Sequence, residues 1–134
     1  MDRIATKDSW GYYPMKNPKK IPINLIFNEE QYKKIKIGFI PSMMEEKWFV
    51  FFEDGWVHWV RSWTGAEWVK AEIKKENDKY IMSEFFLEAG VSEENDIKKD
   101  AEIFESFMNV LISGLDGRIY VLIENALKRE YEWF

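Results

Sequence analysis

Lys47-Trp48-Phe49-Val50-Phe51-Phe52-Glu53-Asp54-Gly55-Trp56-Val57-His58-Trp59-Val60-Arg61-Ser62-Trp63-Thr64-Gly65 is the stretch that decides the fold. Two runs rich in aromatic and β-branched residues flank Asp54-Gly55. That dipeptide favours a two-residue type I′ turn, in which both central positions take positive φ. The run therefore predicts an antiparallel hairpin with Glu53 opposite Trp56, Phe52 opposite Val57, Phe51 opposite His58, Phe49 opposite Val60 and Trp48 opposite Arg61. One face then carries Trp48, Val50, Phe52, Val57, Trp59, Arg61 and Trp63; the other carries Phe49, Phe51, Glu53, Trp56, His58, Val60 and Ser62. A sheet with one wet face alternates apolar with polar residues, whereas both faces here are largely apolar. Each face needs a cover.

Outward from the hairpin, alternation and turn residues predict a meander with strands near 47–53, 56–63, 67–75 and 79–88, reversing at Asp54-Gly55, Thr64-Gly65 and Asn77-Asp78. In the third strand, Val69, Ala71 and Ile73 oppose Trp68, Lys70, Glu72 and Lys74, which marks a solvent-facing part of the sheet. The fourth is apolar on both sides: Ile81, Phe85 and Leu87 alternate with Met82, Glu84 and Phe86.

Upstream, residues 21–27 read as a short strand that Pro22 confines to an edge or a first position. Asn28 is the expected N-cap of a short helix with Glu29 and Glu30 first and Lys33 and Lys34 last; Gly38 and Pro41 end it. Downstream, Ile97, Ala101, Phe104, Met108, Leu111 and Leu115 recur at helical spacing before Gly114. Asp116 caps a further helix, with Ile119, Leu122, Ile123, Ala126, Leu127 and Tyr131 on one stripe.

The expected fold is α+β: an antiparallel meander of four to five strands with two C-terminal helices packed on one face. The 134 residues suit a single domain, and residues 1–20 form an irregular arm whose Trp10, Tyr12 and Tyr13 gain by packing somewhere; the C-terminal helices can cover one face of the sheet, which leaves the other for this arm, a partner chain or a ligand.

Composition narrows the function classes. The chain is 46% hydrophobic and 17% aromatic with seven tryptophans, which predicts a soluble globular protein. There is no cysteine, so disulfides and thiolate metal sites are excluded, and a single histidine rules out a histidine cluster for a metal. No basic segment followed by an apolar one opens the sequence, so the cytoplasm is the expected location. No apolar stretch reaches the roughly 18 to 20 residues of a membrane span. A formal net charge of -5 argues against duplex nucleic acid, although one arginine can still hold a small anion.

Arg61 shares its predicted face with Trp48, Trp59 and Trp63. A guanidinium stacked on indoles with its fork free holds phosphates and carboxylates; the competing reading is a structural arginine paired with Glu46, Glu67 or another acid. Ser62, Thr64 and Gly65 follow at the strand end, where hydroxyls and backbone amides can cradle an anion or simply reverse the chain. His58 is the side chain through which proton transfer at neutral pH would run, though a histidine in an aromatic strand also fits plain packing. Ser62 lacks the Gly-x-Ser-x-Gly spacing of a nucleophile elbow, and the adjacent acids Glu45-Glu46, Glu53-Asp54 and Glu93-Glu94 have no catalytic geometry.

Phe39-Ile40-Pro41, Met44-Glu45-Glu46-Lys47-Trp48-Phe49, Glu53-Asp54-Gly55-Trp56 and Arg61-Ser62-Trp63-Thr64-Gly65 together resemble a group of small, mostly uncharacterised bacterial proteins marked by an Arg-Ser-Trp-Thr-Gly signature. The resemblance covers about a fifth of the chain and implies an association with modules that handle ADP-ribose. Such proteins are expected to carry an aromatic-His-Arg run before Ser-Trp-Thr-Gly; here His58 stands three positions ahead of Arg61, and Val60 intervenes.

These residues point first to a non-catalytic module for a nucleotide-like or ADP-ribose-like small molecule. Trp48, Trp59 and Trp63 would stack on the base, Arg61 would hold phosphate, and Ser62, Thr64 and Gly65 would donate from the turn, with His58 adjoining. No cofactor is expected. The alternative is a protein-interaction module of the immunity, antitoxin or anti-defence type, whose aromatic face meets a partner chain or a second copy. An enzyme using His58 comes third and requires an acid within hydrogen-bond reach of the ring.

Overall fold

A computed structural model describes residues 4–42, 46–90 and 97–113. The elements are β1 (Pro18–Phe27), α1 (Glu29–Ile37), β2 (Trp48–Glu53), β3 (Trp56–Arg61), β4 (Glu67–Glu72), β5 (Lys74–Glu76), β6 (Lys79–Glu88) and α2 (Ile97–Ser113). The class is α+β, with an antiparallel sheet in the order β1-β6-β4-β3-β2 and β5 pairing with β6. The meander is thus present, and β1 returns to the far side of β6, the edge that Pro22 foretells. The helix expected from Asp116 onward lies outside the described residues.

The central hairpin forms in the predicted register, from Trp48 opposite Arg61 to Glu53 opposite Trp56. Asp54 and Gly55 both take positive φ, 52° and 88°, as a type I′ turn requires. Asn77 at φ 55° turns β5 into β6 in the same region. Asn28 caps α1 as expected: its side chain accepts from the Gln31 amide at 2.8 Å, and the Gln31 side chain accepts from the Asn28 amide at 2.9 Å.

Two departures matter for the site. β3 ends at Arg61, so Trp63 lies in the turn rather than on the strand face with Trp48. The β3–β4 ladder also slips by one residue: Trp59 faces Val69, but Val60 faces Glu67. A bulge of this kind carries the side chains beyond it to the opposite face. Trp68 therefore packs against the core on the side of Val69, and Glu67 turns to the other side.

Each face has the cover that its apolar side chains demand. On one, Trp48, Val50, Val57, Trp59, Val69, Phe85 and Leu87 meet α1 and α2 through Ile35, Ile103, Phe104, Phe107 and Met108. Trp48 and Trp59 sit edge to face at 5.9 Å, and Phe107 lies 5.2 Å from each. The buried stripe of α2 is rotated from the expected one: Ile103 and Phe107 are inside, and Ile97 is exposed. On the other face, Ala5 of the arm covers Phe49, Phe51 and Val60, with Tyr12 and Ile40 at the margin. Of the three arm aromatics expected to pack, only Tyr12 does so; Trp10 and Tyr13 remain exposed, because the arm leaves the sheet face to run beside the β3–β4 turn. Among the described residues no helix is long and apolar enough to cross a membrane.

Candidate interaction surface

The β3–β4 turn is built from its own backbone. Gly65 donates to the Arg61 carbonyl at 2.8 Å, and Arg61 donates to the Ala66 carbonyl at 2.9 Å. Gly65 holds φ 76°, and a Cβ there would meet the Tyr13 ring at 3.0 Å and Gly11 carbonyl carbon at 3.1 Å. Glycine thus serves both the turn and the close approach of the arm. The arm runs past as a short parallel bridge, Tyr13 donating to Gly65 at 2.7 Å and Glu67 donating to Tyr13 at 3.0 Å. Trp10 Nε1 donates to the Ser62 carbonyl at 2.7 Å.

These contacts place three large aromatic side chains around one turn with much of their surface in water: Trp10 is 42% exposed, Tyr13 68% and Trp63 67%. Hydrogen bonds fix the first two to the turn from which the third projects. The result is a presented aromatic surface assembled from the arm and the β3–β4 connection.

The expected ligand-stacking group does not come together. Trp48 and Trp59 have no exposed surface; α2 packs on them, so neither offers a face to a base. The Arg61 guanidinium lies over two indoles that meet edge to face at 5.5 Å, 4.8 Å from Trp48 and 4.8 Å from Trp68. The Ser62 and Gly65 donors are used within the fold, and Thr64 Oγ1 serves as an acceptor. The Ser62 amide donates to the Lys47 carbonyl at 2.8 Å and its Oγ to the Glu46 carbonyl at 2.9 Å; the Ala66 amide donates to Thr64 Oγ1 at 3.2 Å. Trp63 alone of the predicted indoles stays open.

His58 has the neighbouring acid that an acid/base role would require. The bulge delivers Glu67, 2% exposed, to the face of His58, and its Oε2 is hydrogen bonded to His58 Nδ1. A buried carboxylate on one ring nitrogen orients an imidazole. The same carboxylate accepts from the Tyr12 hydroxyl at 3.3 Å and from the Met15 amide at 3.2 Å. The His58 ring stacks on Phe51 at 4.5 Å with 10° between planes, and Tyr12 stands edge-on to Phe51 at 5.0 Å. Every partner so placed belongs to the sheet or the arm. Among the described residues no group of His, Cys, Asp and Glu could hold a metal ion.

Burial, with the Glu67 charge beside it, pushes the Tyr12 hydroxyl from 10.0 up to about 12. The phenol is neutral when protonated, and its native form keeps the proton longer than the unfolded chain does. Its stabilising contribution is complete below pH 10.0 and is lost as the pH rises through about 12. Alkaline denaturation followed together with phenolate absorbance should show late-ionising tyrosines, because burial, with Tyr80 beside it, also raises the Tyr32 hydroxyl; Tyr12→Phe should remove the later of the two along with part of the alkaline loss. An unchanged profile in that variant would contradict the assignment.

Comparison with protein-family models, with curated proteins and with solved structures found no match to this chain. Glu67 was visible in the sequence only as an acid near Arg61; nothing in its alternation signals the bulge that aims it at His58. Trp10 and Tyr13 were expected to pack and were not read as surface residues; their only signal is their type, large aromatics in a segment without a period.

Proposed function

We propose that this chain is a protein-interaction module whose contact surface is Trp10, Tyr13 and Trp63 around the β3–β4 turn. The observation that carries the reading is the exposure of these three side chains while Trp48, Phe49, Phe51 and Trp59 of the adjoining strands are buried. Tryptophan and tyrosine supply large contact area with few rotatable bonds, which is why they recur as the dominant residues of protein interfaces. Fixing Trp10 and Tyr13 by hydrogen bonds lowers the ordering cost of association.

The nucleotide or ADP-ribose reading draws support from Trp63 and from the neighbouring Arg61, but Trp48 and Trp59 are buried and the Ser62 and Gly65 donors are used within the fold. The test compares both. Calorimetric titration with ADP-ribose, NAD, ATP and cyclic dinucleotides is expected to be flat. Partner recovered by affinity capture from native cells should bind the wild-type chain and lose about thirtyfold in affinity, or about 2 kcal/mol, on Trp63→Ala or Tyr13→Ala. Both variants should melt within a few degrees of the parent, because the side chains are exposed. Saturable nucleotide binding abolished by Arg61→Ala, with capture unaffected by Trp63→Ala, would overturn the proposal.

A further inference from the structure

The arm is tied by backbone bonds at Ala5 and Tyr13, by Trp10 to the Ser62 carbonyl and by the Lys16 amide to the Glu88 carboxylate, and between these it meets the sheet at a polar cluster that is distinct from the main core. Glu67 is the common acceptor: His58 Nδ1 and the Tyr12 hydroxyl reach Oε2, and the Met15 amide reaches Oε1. Tyr12 and Met15 flank Tyr13, and Trp10 lies two residues upstream of Tyr12. The arm's apolar contribution is small, consisting of Ala5 with Tyr12 against Phe49, Phe51 and Val60, a cluster separate from the one that holds the helices to the other face.

We propose that the Glu67 carboxylate, oriented by His58, is the anchor of a releasable strap formed by residues 5–16, so that the aromatic surface can be dismantled while the sheet and helices stay folded. The consequence for binding rests on the interaction surface proposed above; the anchoring itself does not.

The chemistry requires a carboxylate. Its two oxygens accept from three donors at once, which an ionised acid does readily. A glutamine has one accepting oxygen and presents an amide N–H₂ in place of the other, so at least one of the hydroxyl, the Met15 amide and the imidazole N–H loses its acceptor. Two of these three donors, the Tyr12 hydroxyl and the Met15 amide, belong to the arm and have no part in the core that binds α2, so the change loosens the arm ahead of that core. Release would uncover Phe49 and Phe51 and set Trp10 and Tyr13 loose. His58 is a positioning residue in this scheme: its stack on Phe51 holds the ring where Nδ1 meets Glu67.

The experiment is amide hydrogen exchange on the full chain, with Glu67→Gln and Tyr12→Phe beside the parent. Glu67→Gln is expected to speed exchange at Tyr13 and Met15 by about tenfold or more and leave the amides of β6 as protected as before. Tyr12→Phe keeps the ring against Phe51 and removes only the hydroxyl, so it should speed Tyr13 exchange in the same direction by a smaller factor. Unchanged arm exchange in both variants would overturn the proposal. So would β6 exchange that rises in step with the arm, since Glu67 would then support the whole fold, and so would a Glu67→Gln chain that does not fold. Partner capture is read separately: a released arm with undiminished capture upholds the anchor and sinks the surface, whereas a fixed arm with capture lost on Trp63→Ala does the reverse.

Discussion

Trp59→Ala is expected to lower the stability by about 3–5 kcal/mol, the range for emptying a fully buried large aromatic site. The indole has no exposed surface and is met by Trp48, Phe104 and Phe107, so its removal leaves a void between the sheet and α2. Those rings sit on a hydrogen-bonded sheet on one side and a helix on the other, and neither can collapse far into the space. Urea denaturation of the variant and the parent measures the effect directly. The size of the loss also separates two roles for the residue. A ligand platform would give up affinity and keep its stability, since an exposed ring contributes little to the folded state; a loss below about 1 kcal/mol would therefore contradict the core assignment.

Gly38→Ala should cost about 3 kcal/mol or more, because two effects add. Gly38 ends α1 at φ 71° and ψ -155°, a conformation open essentially to glycine alone. A Cβ at that position would stand 2.3 Å from the Val50 carbonyl oxygen and 3.0 Å from the Ala5 Cβ. The obstruction is backbone. It lies where Phe39 and Val50 exchange hydrogen bonds of 2.9 Å in each direction, so relief would break the bridge that covers the β2 edge. Gly55→Ala is the control: φ is 88°, but the nearest atom to its Cβ is 3.8 Å away, and the cost should be the conformational one of about 1 to 2 kcal/mol. Thermal or urea unfolding of the pair checks the order. Equal losses would show that the contact with Val50 relaxes freely.

The hairpin was legible in the sequence because its information is local. Asp54-Gly55 sets the turn, the turn sets the register, and the register sets both faces of β2 and β3. The need for a cover on each face followed from the same alternation, but the occupant of the second did not: the arm, a partner chain and a ligand all fitted, and the arm supplies it through Ala5 and Tyr12 and not through Trp10 or Tyr13. The candidate site was less legible, for a reason that alternation cannot reveal. One extra residue in β4 exchanges the destinations of Glu67 and Trp68, putting a second indole on Arg61 and an acid on His58. A bulge is decided by the packing of both faces together, and no residue in 66–69 announces it. Trp63 was misplaced because the strand stops at Arg61, where the ladder gives way to the Gly65 turn. Trp48 and Trp59 were placed on the right face, but whether a face is open depends on the helix that lies over it, here through Phe104 and Phe107.

The central claim, that the aromatic surface at the β3–β4 turn meets another protein, is tested most directly by placing a photo-reactive phenylalanine analogue at position 63 and, as a control, at the exposed Ile26 on β1. Irradiation in cells that express the chain natively should give an adduct with one defined protein from position 63, competed by unmodified chain and absent from position 26. No adduct at position 63, or the same adducts from both positions, would contradict the account.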